Sequence, residues 1–382
     1  MAIRGRFRII GWLVLVGAVL VTALTLPTAA SAWFRNAANA RIARAAIAKH
    51  PAGKDSQVGL SRQPDREASR REWSAALDDA DAQLAHARGW SNDALVALAQ
   101  ARAFLVRGEA SRVVETLRAT GMALQDDFIA QFVWGEAEWQ VGNPAGAYER
   151  WRAAGALDYF VNQSLRAGFK HDWQAAEKYA RCAVGIAPER AETHYLLGDA
   201  IGHQAPENPQ ALREIERAAK LTSDPEFLST ILSRKGELLA AQGRDRDALA
   251  QFEQARQIAP RDARPRIGYA VTSLRIDPSA EAQAIEVLMQ VVNDAPWTIS
   301  AHLALAKIAE SHHDLKSAEE WYRAALTRDP NNPDALFAMG EFYARHNRIE
   351  DAKKTLTLAL KYESHLDDQH AIARALAELN AR

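Results

Sequence analysis

The sequence predicts an all-α protein, a solenoid of antiparallel helix hairpins preceded by a transmembrane helix. Three observations lead there. Five prolines, Pro188, Pro225, Pro260, Pro296 and Pro330, recur at steps of 37, 35, 36 and 34 residues. Around them, small and large apolar residues return at fixed places with helical spacing. Near the start, Arg4, Arg6 and Arg8 precede an uncharged stretch whose strongly apolar part runs from Ile9 to Leu26.

Residues 1–34 read as a basic leader followed by an anchor or signal segment. Eighteen helical residues reach about 27 Å, close to the hydrocarbon thickness of a bilayer. That is longer than the core of about 7–15 apolar residues in a secretory signal, which favours an uncleaved single-pass anchor. Ala30, Ser31 and Ala32 fit the small-residue cleavage pattern, so release after Ala32 as a periplasmic or secreted protein is the alternative. The cluster of Arg4, Arg6 and Arg8, against Arg35 alone close to the other end, favours a cytoplasmic N-terminus and an extracytoplasmic array. Residues 35–65 read as a juxtamembrane basic segment and linker, turning to Gly, Ser, Gln and charged residues between Pro51 and Pro64. Helical spacing resumes in residues 66–92 through Trp73, Leu77, Ala80, Leu84 and Ala87, as expected of a capping helix on the first hairpin.

The repeats occupy residues 93–364. Residues 299–330 place His302, Leu305, Ala306 and Ala309 on a first helix and Ala318, Tyr322 and Ala325 on a second. Residues 333–364 hold Leu336, Met339, Gly340, Tyr343, Ala352, Leu356 and Ala359 at the same places. Residues 229–260 match through Leu232, Gly236, Leu239, Ala248, Phe252 and Ala255, with Lys235 where an apolar residue is expected. Residues 191–225 keep His194, Leu197, Gly198 and Ile201, but extra residues between Ala205 and Gln210 displace the second helix. The pattern continues in 265–296 with Thr272, Ala284 and Leu288, in 157–188 with Ser164, Ala176 and Ala183, and in 128–154 with Trp134, Gly135, Ala147 and Trp151. These make seven repeats, and residues 93–118 form a degenerate first unit through Leu98, Ala101, Ala110 and Leu117. Each periodic proline is expected to end a hairpin, since it lacks an N–H and holds the preceding residue out of the helical region. Gly or Ala at the eighth place and Ala at the twentieth let the two helices touch, while larger side chains fill the flanks. Leu366, Ile372, Leu376 and Leu379 give residues 365–382 one apolar side, as a C-terminal cap needs.

A period near 34 residues with these residue types resembles the tetratricopeptide repeat (TPR) family. The resemblance implies a right-handed superhelix whose first helices line a concave groove, with the fifth and ninth places of each repeat facing a ligand. In this chain those places are Phe132 and Glu136, Val161 and Leu165, Tyr195 and Asp199, Ser233 and Glu237, Tyr269 and Ser273, Leu303 and Lys307, and Phe337 and Glu341. Each pair is four residues apart and shares a helix face. Phe132, Glu136, Tyr195, Asp199, Glu237, Tyr269, Phe337 and Glu341 are the candidate partner-binding residues, and Phe337, Glu341, Tyr195 and Asp199 are expected to matter for binding and little for folding. The Lys/Asn/Arg set with which chaperone-binding members clamp a terminal carboxylate has no counterpart here.

Charge bears on the partner. Residues 1–54 contain eight Lys/Arg and no Asp/Glu, leaving 39 Lys/Arg against 48 Asp/Glu in the remainder. An acidic array argues against nucleic acid, which needs a basic footprint, and favours a basic or mixed basic-apolar protein segment. The chemistry of catalysis is not visible. No phosphate-binding glycine loop, nucleophile-elbow serine or paired-histidine zinc motif is present. His312, His313 and Asp314 fall where a hairpin turn is due, and Cys182, the sole cysteine, reads as a buried small residue. The expectation is a membrane-tethered, non-catalytic TPR scaffold for other proteins without cofactor or metal, in envelope biogenesis or membrane-complex assembly. An enzyme with its site in the Trp-rich region from Trp134 to Trp173 is the remaining alternative.

Overall fold

The computed structural model describes residues 32, 35–41, 66–90, 94–363 and 366–380, and no strand occurs among them. The chain divides into two compact units, Met1–Leu157 and Asp158–Arg382. In the first, α1 (Arg66–Trp90) precedes the hairpins α2/α3 (Ala94–Arg107, Ala110–Ala119) and α4/α5 (Phe128–Gln140, Pro144–Ala153). The second begins within α6 (Leu157–Phe169), which pairs with α7 (Trp173–Ile186). It continues through α8/α9 (Ala191–Gln204, Pro209–Leu221), α10/α11 (Pro225–Ala241, Asp245–Ile258) and α12/α13 (Ala263–Ile276, Glu281–Asp294). Then come α14/α15 (Ile299–Ser311, Leu315–Arg328), α16/α17 (Pro333–Arg345, Ile349–Tyr362) and a final helix, α18 (Leu366–Asn380). Among the described residues these make eight helical hairpins, α2/α3 to α16/α17.

The same local chemistry punctuates most hairpins. First helices end on a residue with positive φ: Gly142 (82°), His171 (57°), Gly243 (73°), His313 (61°) and Asn347 (57°). At the end of α4, Gly142 N–H donates to the Trp139 carbonyl at 3.1 Å and Asn143 N–H to the Glu138 carbonyl at 2.9 Å. This pair of bonds satisfies two carbonyls that the helix end leaves open. The next residue then caps the second helix: Asn143 accepts from Gly146 N–H, Asp172 from Ala175 N–H, and Asp314 from Ser317 N–H. His312, His313 and Asp314 are therefore a hairpin turn, as expected.

Pro188, Pro260, Pro296 and Pro330 lie in the turns after second helices. Pro225 departs from the expectation. It is the first residue of α10, behind the Asp224 cap, where a missing N–H costs nothing. Hence α10 starts ahead of the expected residue 229 and spans 17 residues.

Close approach within hairpins is as the small residues require. The Ser164 hydroxyl donates to the Ala176 carbonyl at 2.9 Å, and Ser229 to the Ala255 carbonyl at 3.0 Å. Trp151, Ala176, Ala211, Phe252, Ala284, Tyr322 and Leu356 are all buried. Cys182 is buried, and Lys235 reaches Glu216 at 3.0 Å.

One difference concerns the expected linker. Residues 35–41 are helical; Ala38 is buried in a cluster with Leu77, Ala80 and Leu84 of α1. Arg41 pairs with Asp79, and Arg102 donates to Asn39 at 3.0 Å. This part of the basic segment thus belongs to the folded first unit. The leader, the stretch from Ile9 to Leu26, Ala30 and Ser31 of the cleavage pattern, and the hinge between Pro51 and Pro64 lie outside the described residues, as do the side chains of Trp73 and Leu366. No helix among the described residues is long and apolar enough to cross a membrane.

Candidate functional site

The first helices of the second unit carry most of the candidate residues and bring several together. Asp199 on α8 meets buried Arg234 on α10, Oδ1 to Nε at 2.6 Å. That contact lies off the N–H direction, so it is an ion pair; Arg234 Nη2 donates instead to the Asp199 carbonyl at 3.2 Å. Arg234 also pairs with Glu237 at 3.1 Å. Glu237 in turn accepts a bidentate pair from Arg264 of α12, at 2.6 and 2.7 Å, and Arg264 reaches the Tyr195 hydroxyl at 3.5 Å. The network therefore joins α8, α10 and α12, the first helices of three consecutive hairpins.

Its electrostatics follow from burial and charge. Burial alone would raise the Glu237 carboxyl, but Arg264 and Arg234 outweigh it and hold that group below the ordinary carboxylate value. Burial, with Asp199 beside it, raises the Tyr195 phenol. His203 stacks on Trp173, with ring centroids 3.8 Å apart and planes 5° from parallel. Burial first and the Arg234 charge second lower His203 to about 4.

These contacts change what the sequence implied. Tyr195 and Asp199, expected to have little part in folding, are bound into an inter-repeat network, and Tyr195 packs edge-on against Phe227. The Asp199 and Glu237 carboxylates already face guanidinium groups. Ser233 is buried, donating to the Ser229 carbonyl at 2.8 Å, and so does not face a ligand. Tyr269 lies under the Arg256 guanidinium, 4.1 Å from its ring centre. In the first unit, Phe132 stacks on exposed Phe128 with centroids 5.9 Å apart, and Glu136 is half-buried on the same helix.

Open concave surface lies further along. A pocket of about 540 Å³ is lined by α12 and α14, including Leu274, Leu303, Ala304 and Lys307. A second, of about 620 Å³, is lined by Leu303, Lys307, Glu310, Phe337, Glu341 and Arg345 of α14 and α16, with Tyr322 contributed by α15. Phe337 and Glu341 therefore line this pocket. Glu310 bonds Arg345 at 2.9 Å, His346 at 3.0 Å and the Tyr322 hydroxyl at 3.3 Å. Burial opposes ionisation of Glu310, but Arg345 and His346 hold it below the usual value; burial and the Glu310 charge push Tyr322 up to about 12. A smaller pocket of about 200 Å³ between α6, α7 and α8 includes Leu165, Trp173 and Asp199.

In the Trp-rich region, Trp134 Nε1 donates to Glu138 at 3.0 Å beneath Arg150, and Trp139 packs beside Trp151 at 5.8 Å. No group of three His, Cys, Asp or Glu that could hold a metal occurs among the described residues. Sequence reasoning missed Arg234 and Arg264 as the partners of the groove carboxylates. The signal was present: Asp199 and Arg234 are 35 residues apart, about one repeat, so charges aligned by the period reveal the pair.

The class defined by this architecture is a helical-hairpin repeat protein. The family model for the tetratricopeptide repeat matches residues 309–379, from the end of α14 into α18. The chain is 38% identical over 64 residues to cellulose synthase operon protein C of Pseudomonas fluorescens, covering 17% of this chain and 5% of that protein. It is 25% identical over 189 residues to TPR repeat-containing protein PA4667 of Pseudomonas aeruginosa, covering 48% of this chain and 30% of that one. The chain thus spans well under two thirds of either relative. Among solved structures, a tetratricopeptide repeat protein from Parabacteroides merdae superposes with a TM-score of 0.49 at 13% identity, covering 75% of this chain and 98% of that chain.

Proposed function

We propose that the chain is a non-catalytic protein–protein interaction scaffold, tethered to a membrane by the segment from Ile9 to Leu26 with its repeats on the extracytoplasmic side. Its role is in envelope biogenesis or assembly of a membrane complex. The observation that carries the scaffold reading is the concave face of α14 and α16, where Leu303, Lys307, Phe337 and Glu341 line an open pocket. The tetratricopeptide match at residues 309–379 supports it. Within this reading Phe337 and Glu341 contact the partner directly, Tyr269 extends the contact positions in the second unit, Tyr195, Asp199 and Glu237 hold neighbouring hairpins in place, and Phe132 and Glu136 are contact positions of the first unit by itself. A basic side chain on the partner is read at Glu341, whose nearest cation is Arg345 at 3.6 Å. The occupant is then mixed in character rather than uniformly basic.

Two measurements test the proposal. After alkaline carbonate washing the intact chain should stay with the membrane fraction and retain its N-terminus, whereas a soluble chain beginning at Trp33 would establish release after Ala32. In titrations against the protein that co-purifies with the solubilised chain, Phe337→Ala should weaken binding at every salt concentration. Glu341→Lys should weaken it most at low salt, where screening is least. Unchanged affinity in both variants, with unchanged melting, would remove the groove from the function.

A further inference from the structure

The two larger pockets are one groove. Leu303, Lys307 and Ser311 line both, and they follow one another at intervals of four residues along one face of α14. The charges on this groove are mostly answered within the fold. Arg275 pairs with Asp245 at 2.7 Å and Glu281 with His312 at 2.7 Å. Glu310 is held by Arg345 and His346, and Arg345 is shared with Glu341. Lys307 differs. It is exposed, and it makes no hydrogen bond or ion pair among the described residues. Among the residues that line the groove with it are apolar ones on both sides: Leu274, Leu303, Ala304 and Ile308 in one pocket, Phe337 and Ala338 in the other.

We infer that this groove takes an acidic-apolar segment of a partner protein, with a carboxylate set against Lys307 and apolar side chains seated on Leu303 and Phe337. The inference rests on the scaffold reading above and names what its groove selects. A groove in which one unanswered cation stands between apolar side chains fits a chain whose apolar residues flank a single negative charge, by charge complementarity at that point. A monoanionic carboxylate suits the place better than phosphate or a nucleic acid backbone. Glu281, Glu310, Asp334 and Glu341 line the same groove and repel a more highly charged anion. A cation further along the segment can then meet Glu341.

The test is selection of a random dodecapeptide library displayed on phage against the full-length chain in nonionic detergent, in parallel with its Lys307→Glu and Leu303→Asp variants. The wild-type pool should be enriched in Asp or Glu flanked by Leu, Ile or Phe. Lys307→Glu should select basic residues in their place, and Leu303→Asp should enrich nothing. For the best wild-type peptide, Lys307→Gln should lower affinity about two- to fivefold at low salt, the range of one exposed ion pair, and Lys307→Arg should restore it. Acidic enrichment that persists in Lys307→Glu, or a wild-type preference for basic peptides, overturns the inference while leaving the groove in place if Leu303→Asp still abolishes selection. Binding indifferent to Leu303→Asp, or a library that yields no enrichment, overturns the groove reading along with it.

Discussion

His203 illustrates how a single side chain carries the state of its surroundings. It lies flat on Trp173, with Asp199 Oδ1 at 3.5 Å and the Arg234, Glu237 and Arg264 charges around it. Burial and Arg234 together favour the neutral ring, lowering its value from 6.5 to about 4. Between those values the unfolded chain holds a proton that the folded chain does not. The stabilisation is therefore complete above the ordinary histidine value and is lost as pH falls towards about 4. Glu237 and Glu310, held below the ordinary carboxylate value, add a further loss at the acid end of that window, as the unfolded chain takes up their protons first. The expected outcome is a melting temperature that declines on acidification through this range, with a shallower decline in His203→Gln. An identical slope in the variant would mean that other groups carry the pH dependence.

Between helices, the contact that sets hairpin geometry is backbone against backbone, and Gly198 shows why size matters there. A Cβ at this position would stand 2.9 Å from the Ala211 carbonyl oxygen and 2.8 Å from Ile215 Cγ1. The isoleucine can shift, but the carbonyl belongs to the α9 backbone and cannot, so α8 and α9 must part. Gly198→Ala should destabilise the second unit by about 1–3 kcal/mol, even though alanine is the better helix former by roughly 1 kcal/mol. Denaturant midpoints decide this, and a stabilised variant would show that the hairpin opens at little cost. Sequence alone located this position, because the eighth place of a repeat is small wherever the period puts it. It did not reveal that Ser164 and Ser229 would also bond to the facing helix, since the acceptors, the Ala176 and Ala255 carbonyls, come near only when the hairpin closes.

At the scale of the molecule, a stack of hairpins is stabilised by nearest neighbours, so its ends need covering. Ile372 and Leu379 of α18 are buried in a cluster with Phe342, Tyr343, Leu356 and Ala359 of the last hairpin. Ile372→Asp with Leu379→Asp should leave that apolar face open to water. Hydrogen exchange should then accelerate in α16 and α17 and remain near its original rate in α8 and α9, because each hairpin contacts chiefly those beside it. Uniform acceleration throughout the second unit would indicate one cooperative block.

What the sequence by itself determined is the set of properties that live in one repeat and recur. Helix type, hairpin boundaries to within a few residues, the small residues at the crossing and the turn at His312, His313 and Asp314 all follow from spacing and local backbone chemistry. Pro225 shows the limit of that reading, since a proline can begin a helix as readily as end one, and its neighbour Asp224 chose the former. Only the tertiary structure decided which charges are spent. Asp199, Glu237, Arg234 and Arg264 come from three hairpins and meet only when those hairpins stack. Among the described residues, Lys307 is distinguished from the other groove cations by making no hydrogen bond or ion pair, a fact that no single stretch of sequence contains. Helical periodicity is a local property of the chain, whereas the compensation of charge across a groove depends on distances between segments far apart along it.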